Sequence, residues 1–290
     1  LYVHIPWCVK KCPYCDFNSH TSSNIPETAY TNRLIEDLRH QLPWLAGRKL
    51  HSIFFGGGTP SLFSAASIER IITAAEQLVG FAPNIEITLE ANPGTFEQDK
   101  FTDFFKTGAN RLSIGIQSFN PGHLKALGRV HSSDEAMRAL GIATKAGFNN
   151  INIDLMHGLP RQTVADASDD INRDLSFAPQ HISWYQLTIE PNTVFYKQPP
   201  PLPADDQLAD IQDAGMYLLA EQGYRQYEVS AFSHPNLQSK HNTNYWSFGD
   251  YIGIGAGAHG KFTDTASEQI IRRQNTRKPE DYLNRRSTND

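Results

Sequence analysis

Apolar, β-branched stretches recur along the chain at intervals of about 30 residues, and after each the apolar positions pass from alternation to helical spacing. Strands are predicted at Tyr2–Pro6, Leu50–Phe55, Ile85–Glu90, Arg111–Gln117, Ile151–Leu155 and His181–Ile189. Between them, helices are predicted at about Pro26–Leu42, Ala65–Leu78, Phe96–Lys106, Asp134–Ala146 and Val164–Leu175, with Gly108 and Gly147 where helix C-termini belong. Strands alternating with helices imply a parallel α/β sheet with right-handed crossovers, and six such units fit an open, partial (β/α)6 barrel better than a closed barrel of eight. After Ile189 the rhythm changes. Pro191 and the proline-rich Pro199–Pro203 lead to an acidic amphipathic helix at Asp205–Gln222, a strand at Tyr224–Phe232, then His241–Trp246 and the glycine-rich Gly253–Gly260. Residues 1–190 are therefore expected to form the barrel, and 191–290 a lateral α+β extension of it.

Composition narrows the class. With 290 residues, 39% hydrophobic and 20% charged, the chain has enough apolar material for a sizeable core and is neither disordered nor a disulfide scaffold. The net charge of −5 provides no overall cationic field for a phosphate backbone, so nucleic acid is not an expected partner. No apolar run is long enough for an integral membrane segment, and Leu1–Trp7 is too short for a signal peptide, which points to the cytoplasm. The first residue is Leu rather than Met and the last stretch, Arg285–Asp290, is wholly polar, so both termini are expected to be trimmed.

All three cysteines, Cys8, Cys12 and Cys15, fall in one C-x-x-x-C-x-x-C loop after the first strand. Pairing across two or three residues is opposed by disulfide geometry, and metal binding is the stronger reading. Closely spaced thiolates suit an iron–sulfur cluster, which normally takes four; three leave one iron open to a ligand. A zinc knuckle completed by His4 or His20 is the single-ion alternative.

In parallel α/β folds the reactive groups gather at the carboxyl ends of the strands. Gly56-Gly57-Gly58-Thr59-Pro60 follows the second strand, Glu90 ends the third, Gln117 ends the fourth, Asp154 interrupts an apolar fifth, and Thr188 lies near the end of the sixth. The triple glycine lets backbone approach a ligand closely, but it lacks the pattern of a phosphate loop or a dinucleotide site. Gly253–Gly257 is nearer a dinucleotide fingerprint, without the βαβ unit that would support one. Arg129 is the best available fork for a ligand carboxylate.

Tyr2-Val3-His4-Ile5-Pro6-Trp7-Cys8, followed by Cys12-Pro13-Tyr14-Cys15 and Gly56–Pro60, resembles the radical S-adenosylmethionine (SAM) superfamily, in its coproporphyrinogen III dehydrogenase-like branch. The resemblance implies a partial barrel, with a [4Fe–4S] cluster held by Cys8, Cys12 and Cys15 and chelated by SAM. It implies SAM contacts from Tyr2, Tyr14, Gly57, Gly58, Thr59, Glu90, Gln117, Arg129 and Asp154, with Thr188 contributing through its backbone. Tyr14 would lie against adenine, the glycine turn would meet the ammonium, Arg129 the carboxylate, and one of the acids the ribose. The dehydrogenases carry a further Cys two positions after the third, where this chain has Phe17. His241-Asn242-Thr243-Asn244-Tyr245-Trp246 matches the H-N-x-x-Y-W signature of HemW-type heme chaperones. That subgroup implies heme, with His241 as candidate iron ligand and Tyr245 and Trp246 as cover for a porphyrin face. It also implies a heme-acceptor protein and an electron donor as partners, and a small C-terminal helical domain expected to be missing or truncated here. His51, His123 and His181 are expected to be surface or hydrogen-bonded structural residues. The alternatives are an oxygen-independent coproporphyrinogen III dehydrogenase and a cluster-stabilised binding protein without SAM chemistry.

Overall fold

The computed structural model describes residues 1–45, 47–94, 99–264 and 267–285. Six parallel strands follow the predicted order: β1 (Tyr2–Ile5), β2 (Leu50–Gly57), β3 (Phe81–Ala91), β4 (Arg111–Gln117), β5 (Ile151–His157) and β6 (His181–Gln186). Each is followed by a helix: α1 (Glu27–Gln41), α2 (Ala65–Leu78), α3 (Phe101–Lys106), α4 (Ser133–Ala146), α5 (Val164–Leu175) and α6 (Asp205–Glu221). The first residues of the helix predicted at Phe96–Lys106 lie outside the described residues.

Local chemistry sets the helix ends. Ser132 with Glu135 and Thr163 with Asp166 form reciprocal capping boxes at the starts of α4 and α5, and Gly147 closes α4 in the left-handed conformation at φ 110.

The extension departs from expectation. In place of one strand at Tyr224–Phe232 there is an antiparallel hairpin, β7 (Arg225–Gln226) and β8 (Ala231–Ser233), whose second strand pairs antiparallel with β6. Tyr227 N–H bonds back to the Ala231 carbonyl and closes the turn between them. His241–Trp246 lies in a short helix, α7 (Lys240–Trp246), capped by the Ser239 hydroxyl. The glycine-rich segment contributes β9 (Gly253–Ile254), parallel to β1, and passes into the antiparallel hairpin His259–Asp264 and Gln269–Gln274 instead of a helix. The sheet therefore runs β9-β1-β2-β3-β4-β5-β6-β8-β7, with extension strands at both edges.

Alternation along the strands separates two faces. Ile53 and Phe55, Ile87 and Leu89, Leu112 and Ile114, Ile153 and Leu155, and Ile182 and Trp184 are buried in one core that includes Leu34, Leu38, Ile68, Ile71, Leu140 and Ile171 of the helices. The intervening residues of β4, β5 and β6 are polar and face a hollow. The sheet curls around a cavity of about 470 Å³, whose wall runs from the cysteine loop across β3–β6 to the extension. A closed eight-unit barrel fills its interior with branched apolar side chains. Here the interior is lined by polar side chains and open to a ligand.

Candidate functional site

The mouth of the cavity is built from the loops predicted for it. Cys8, Cys12 and Cys15 are unpaired, half-buried and all on its wall, together with Tyr14, Gly57, Gly58, Thr59, Glu90, Gln117, Arg129 and Asp154. The glycine turn is fixed by close packing. A side chain on Gly58 would bring its Cβ to 2.4 Å from the Trp7 carbonyl oxygen, and Gly57, at φ 118, lies against the His4 ring. Gly58 N–H donates to the Ile5 carbonyl and Thr59 N–H to that of Trp7, at 2.8 and 2.7 Å. With these donors taken, what the turn offers a ligand is carbonyl oxygen, which accepts from an ammonium and does not suit a phosphate.

Neither histidine of the single-ion alternative is turned to the thiols. His4 bonds Tyr2 Oη through Nδ1 and the Asn18 carbonyl through Nε2, both at 2.9 Å, and His20 Nε2 meets Asn18 Oδ1 at 3.3 Å. Burial pushes the Cys8 thiol up, so a bound metal is what would favour its thiolate.

The far wall comes from β4, where a bulge between Gly115 and Gln117 puts Gln117 at φ 71 and turns its side chain into the cavity. Tyr185 Oη donates to Gln117 Oε1 at 2.6 Å. Arg129 Nη2 donates to Asn92 Oδ1 at 2.7 Å and to the Gly115 carbonyl at 2.5 Å; its Nη1 lies 3.8 Å from Cys12 Sγ, and its buried Nε has no acceptor. Deeper, Asn152 Nδ2 donates to Ser113 Oγ at 2.7 Å and to Asp154 Oδ1 at 2.8 Å. Its Oδ1 accepts from Ser183 Oγ and His181 Nδ1, while His181 Nε2 accepts from Tyr227 Oη. Desolvation raises the pKa of both acids: Asp154 is pushed above its ordinary value, and Glu90, also repelled by Asp154, is pushed up to about 8.

Three expected residues lie elsewhere. Tyr2 faces a neighbouring cavity of about 370 Å³ that shares Phe17, Gly57 and Glu90 with the first. Thr188 is exposed beyond the end of β6, and Tyr185 is the residue of that strand that reaches the site. His241 is only 4% exposed, its ring stacked on Phe54 at 4.9 Å and its Nδ1 3.4 Å from Ser52 Oγ. It lines a separate cavity of about 510 Å³, and burial holds its imidazole neutral, with a pKa well below the usual value. His181 is buried and hydrogen-bonded to Asn152 and Tyr227, and the polar rows Arg111, Ser113 and Gln117 on β4, Asn152 and Asp154 on β5, and Ser183 and Tyr185 on β6 form much of the lumen. Their alternation with apolar residues was the available signal.

Known proteins share this arrangement. The radical SAM superfamily's sequence pattern matches residues 2–173. The chain is 53% identical over 288 residues to the heme chaperone HemW of Haemophilus influenzae and 49% identical over 284 to that of Escherichia coli, covering 98% of this chain and 75% of the relative in both cases. Among solved structures it is similar to the coproporphyrinogen III oxidase HemN of Escherichia coli, a radical SAM enzyme, with a TM-score of 0.83 and 26% identity over 97% of this chain and 67% of that one. With the superfamily pattern spanning more than half of the residues and the relatives nearly all of them, the chain belongs to the radical SAM superfamily, in the family of the HemW heme chaperones.

Proposed function

We propose that the chain binds heme and passes it to an acceptor protein, on a barrel that holds a [4Fe–4S] cluster and SAM. The observation that carries the heme reading is the 53% identity, over 98% of this chain, to a protein named for that activity. Membership of the superfamily brings the cluster and SAM, and the residues present fit both. Three unpaired thiols open on one cavity; carbonyl acceptors, a buried guanidinium and two acids share it. Cys8, Cys12 and Cys15 ligate the cluster, the Gly57–Thr59 turn accepts from the SAM ammonium, and Arg129 meets its carboxylate. Tyr14 lies against adenine, and Glu90 or Asp154 holds the ribose. When bound, the cluster supplies a single electron to the sulfonium. The protein's part is to orient the two, to keep Glu90 largely protonated and to hold its cation fixed.

Residues 1–190 supply this centre. Residues 191–290 supply the heme side, where Tyr245 and Trp246, 39% and 54% exposed, present rings to a porphyrin face. An electron-donor protein and a cytoplasmic setting complete the proposal. Among the described residues no helix is long and apolar enough to cross a membrane.

The second reading, coproporphyrinogen III oxidation, is favoured by the structural likeness to HemN and opposed by Phe17, exposed at the position where that branch carries a further Cys. Hemin titrated into the purified protein should give a Soret band that passes to apomyoglobin when it is added. Coproporphyrinogen III with SAM and reductant should yield no protoporphyrinogen IX. Absence of hemin binding, or failure to release it, would remove the chaperone reading, and catalytic formation of protoporphyrinogen IX would replace it with the oxidase.

A further inference from the structure

The lumen continues below the residues assigned to the cluster and SAM, and one side chain there is incomplete. Arg111, the first residue of β4, is 2% exposed and is the largest fully buried side chain described. It lines the cavity, its Nε has no acceptor, and its guanidinium makes no hydrogen bond or ion pair with any described residue. An ion left without a partner after burial costs several kcal/mol.

The acids around it are engaged with other groups. Asp154 accepts from Asn152 and Ser113. Glu86, two positions before Arg111's partner Thr88 on β3, accepts from Ser239 Oγ and from His241 N–H. Glu228 is bonded by the backbone of its own turn, and Glu90 is held largely protonated by desolvation. The guanidinium's charge favours the ionised forms of Glu90 and Asp154 from a distance, but among the described residues no carboxylate is in hydrogen-bond contact with it.

Its surroundings indicate which anion. Ser230, from the Tyr227–Ser230 turn, and Asn242, from α7, line the same cavity, and the turn and helix meet where Glu228 is hydrogen-bonded by Trp246. The surface there is apolar: Val229 is 75% exposed and Trp246 54%. Exposed apolar groups outside and a cation with no contacting anion within suit a ligand with a flat apolar body and a carboxylate arm.

We propose that Arg111 anchors a carboxylate arm of the porphyrin, which enters the lumen between the Tyr227–Ser230 turn and α7, with Ser230 and Asn242 as neighbouring polar groups. This rests on the heme reading above. The subsite is separate from Arg129 at the cluster loop, so it distinguishes a heme carboxylate from that of SAM.

The test compares hemin with hemin dimethyl ester, whose carboxylates are masked, in wild type and Arg111→Gln, with SAM affinity and thermal midpoint measured on both proteins. Wild type should prefer hemin over the ester by about tenfold or more, as expected of a charge-assisted hydrogen bond. Arg111→Gln should bind the two alike, near the wild-type affinity for the ester, with SAM affinity unchanged and a midpoint equal or higher, because a buried charge without a contacting partner is removed. Arg111→Lys, which keeps the charge without the fork, should retain part of the preference, and it carries the test should Arg111→Gln not fold. Equal binding of hemin and ester by wild type overturns the proposal, as does an undiminished preference in Arg111→Gln. A loss of SAM affinity in Arg111→Gln overturns it in favour of the SAM carboxylate. Wild type that binds no hemin in any form removes the heme reading itself, a result distinct from heme that binds without regard to its carboxylates.

Discussion

Arg129 holds one terminal guanidinium nitrogen 3.8 Å from the sulfur of Cys12, while Asn92 and the Gly115 carbonyl fix the other. The cation therefore reaches the loop that would carry the cluster and is held by the Gly115 carbonyl near the end of β4. Replacing it by glutamine removes the charge and keeps a polar group of similar reach. Arg129→Gln should weaken SAM binding about 10- to 100-fold, the range of a charge-assisted hydrogen bond, with iron per chain after anaerobic reconstitution unchanged. Titration calorimetry and iron analysis measure the two quantities. Unchanged SAM affinity would show that its carboxylate is held elsewhere.

Glu90 gives the lumen a pH signature. Desolvation first, and Asp154 second, push its carboxyl up from 4.5 to about 8. Between those values the unfolded chain has released this proton and the folded protein retains it, so unfolding releases a proton. The stability gained from the neutral acid is complete below pH 4.5 and is lost as pH rises toward 8, by up to about 1.4 kcal/mol per pH unit. Glu90→Gln in the metal-free protein should lack this slope, so that its stability relative to wild type improves from pH 5 to pH 8. Parallel denaturation curves for the two proteins across that range would exclude the raised pKa.

The strand–helix rhythm was legible because burial imposes it: Ile151, Ile153 and Leu155 must face the helices, and the predicted α2 and α5 match residue for residue. Failures occurred where alternation and hydrogen bonding part company. Leu187 and Ile189 continue the apolar pattern past the end of β6 because they join a second apolar cluster with Met156 and Phe195, which moved the expected strand end to Ile189, placed Thr188 near it and concealed Tyr185. The same alternation through Tyr224–Phe232 hides a turn whose closure depends on one backbone bond. The cysteine loop and glycine turn were legible as chemistry because their residue types have few other uses at that spacing. His241 was legible as a motif, but its surroundings were not, since Phe54 and Ser52 come from a strand nearly 190 residues earlier.

Asp174, in the last turn of α5, is fully buried, and neither carboxylate oxygen has a hydrogen-bond partner. Desolvation, with Asp154 and Asp170 adding repulsion, raises its pKa well above the ordinary value. Its neutral form is favoured in the folded protein, so this group too makes stability fall as pH rises above the ordinary carboxyl range. Asp174→Asn keeps the shape and cannot ionise. Its thermal midpoint should exceed that of wild type at pH 8 and approach it at pH 4. An equal or lower midpoint at pH 8 would mean that the carboxylate has a stabilising partner.

Two glycines separate close packing from helix propensity. Gly141 lies within α4 with nothing near the position of a Cβ, so Gly141→Ala should stabilise the protein by about 0.5–1 kcal/mol through lower unfolded-chain entropy. At Gly58 the added Cβ would come to 2.4 Å from the Trp7 carbonyl oxygen and 2.9 Å from the Trp7 nitrogen, both backbone atoms of the strand that leads into Cys8. Neither can yield as a side chain could. Gly58→Ala should cost about 2 kcal/mol or more by the overpacking rule and should lower the iron retained after reconstitution, because the displaced backbone carries the first cysteine ligand. Denaturant midpoints and iron content read both effects. A Gly58→Ala protein with wild-type stability and full iron would show that the turn and the cysteine loop move apart without cost, and that their contact does not set the geometry of the site.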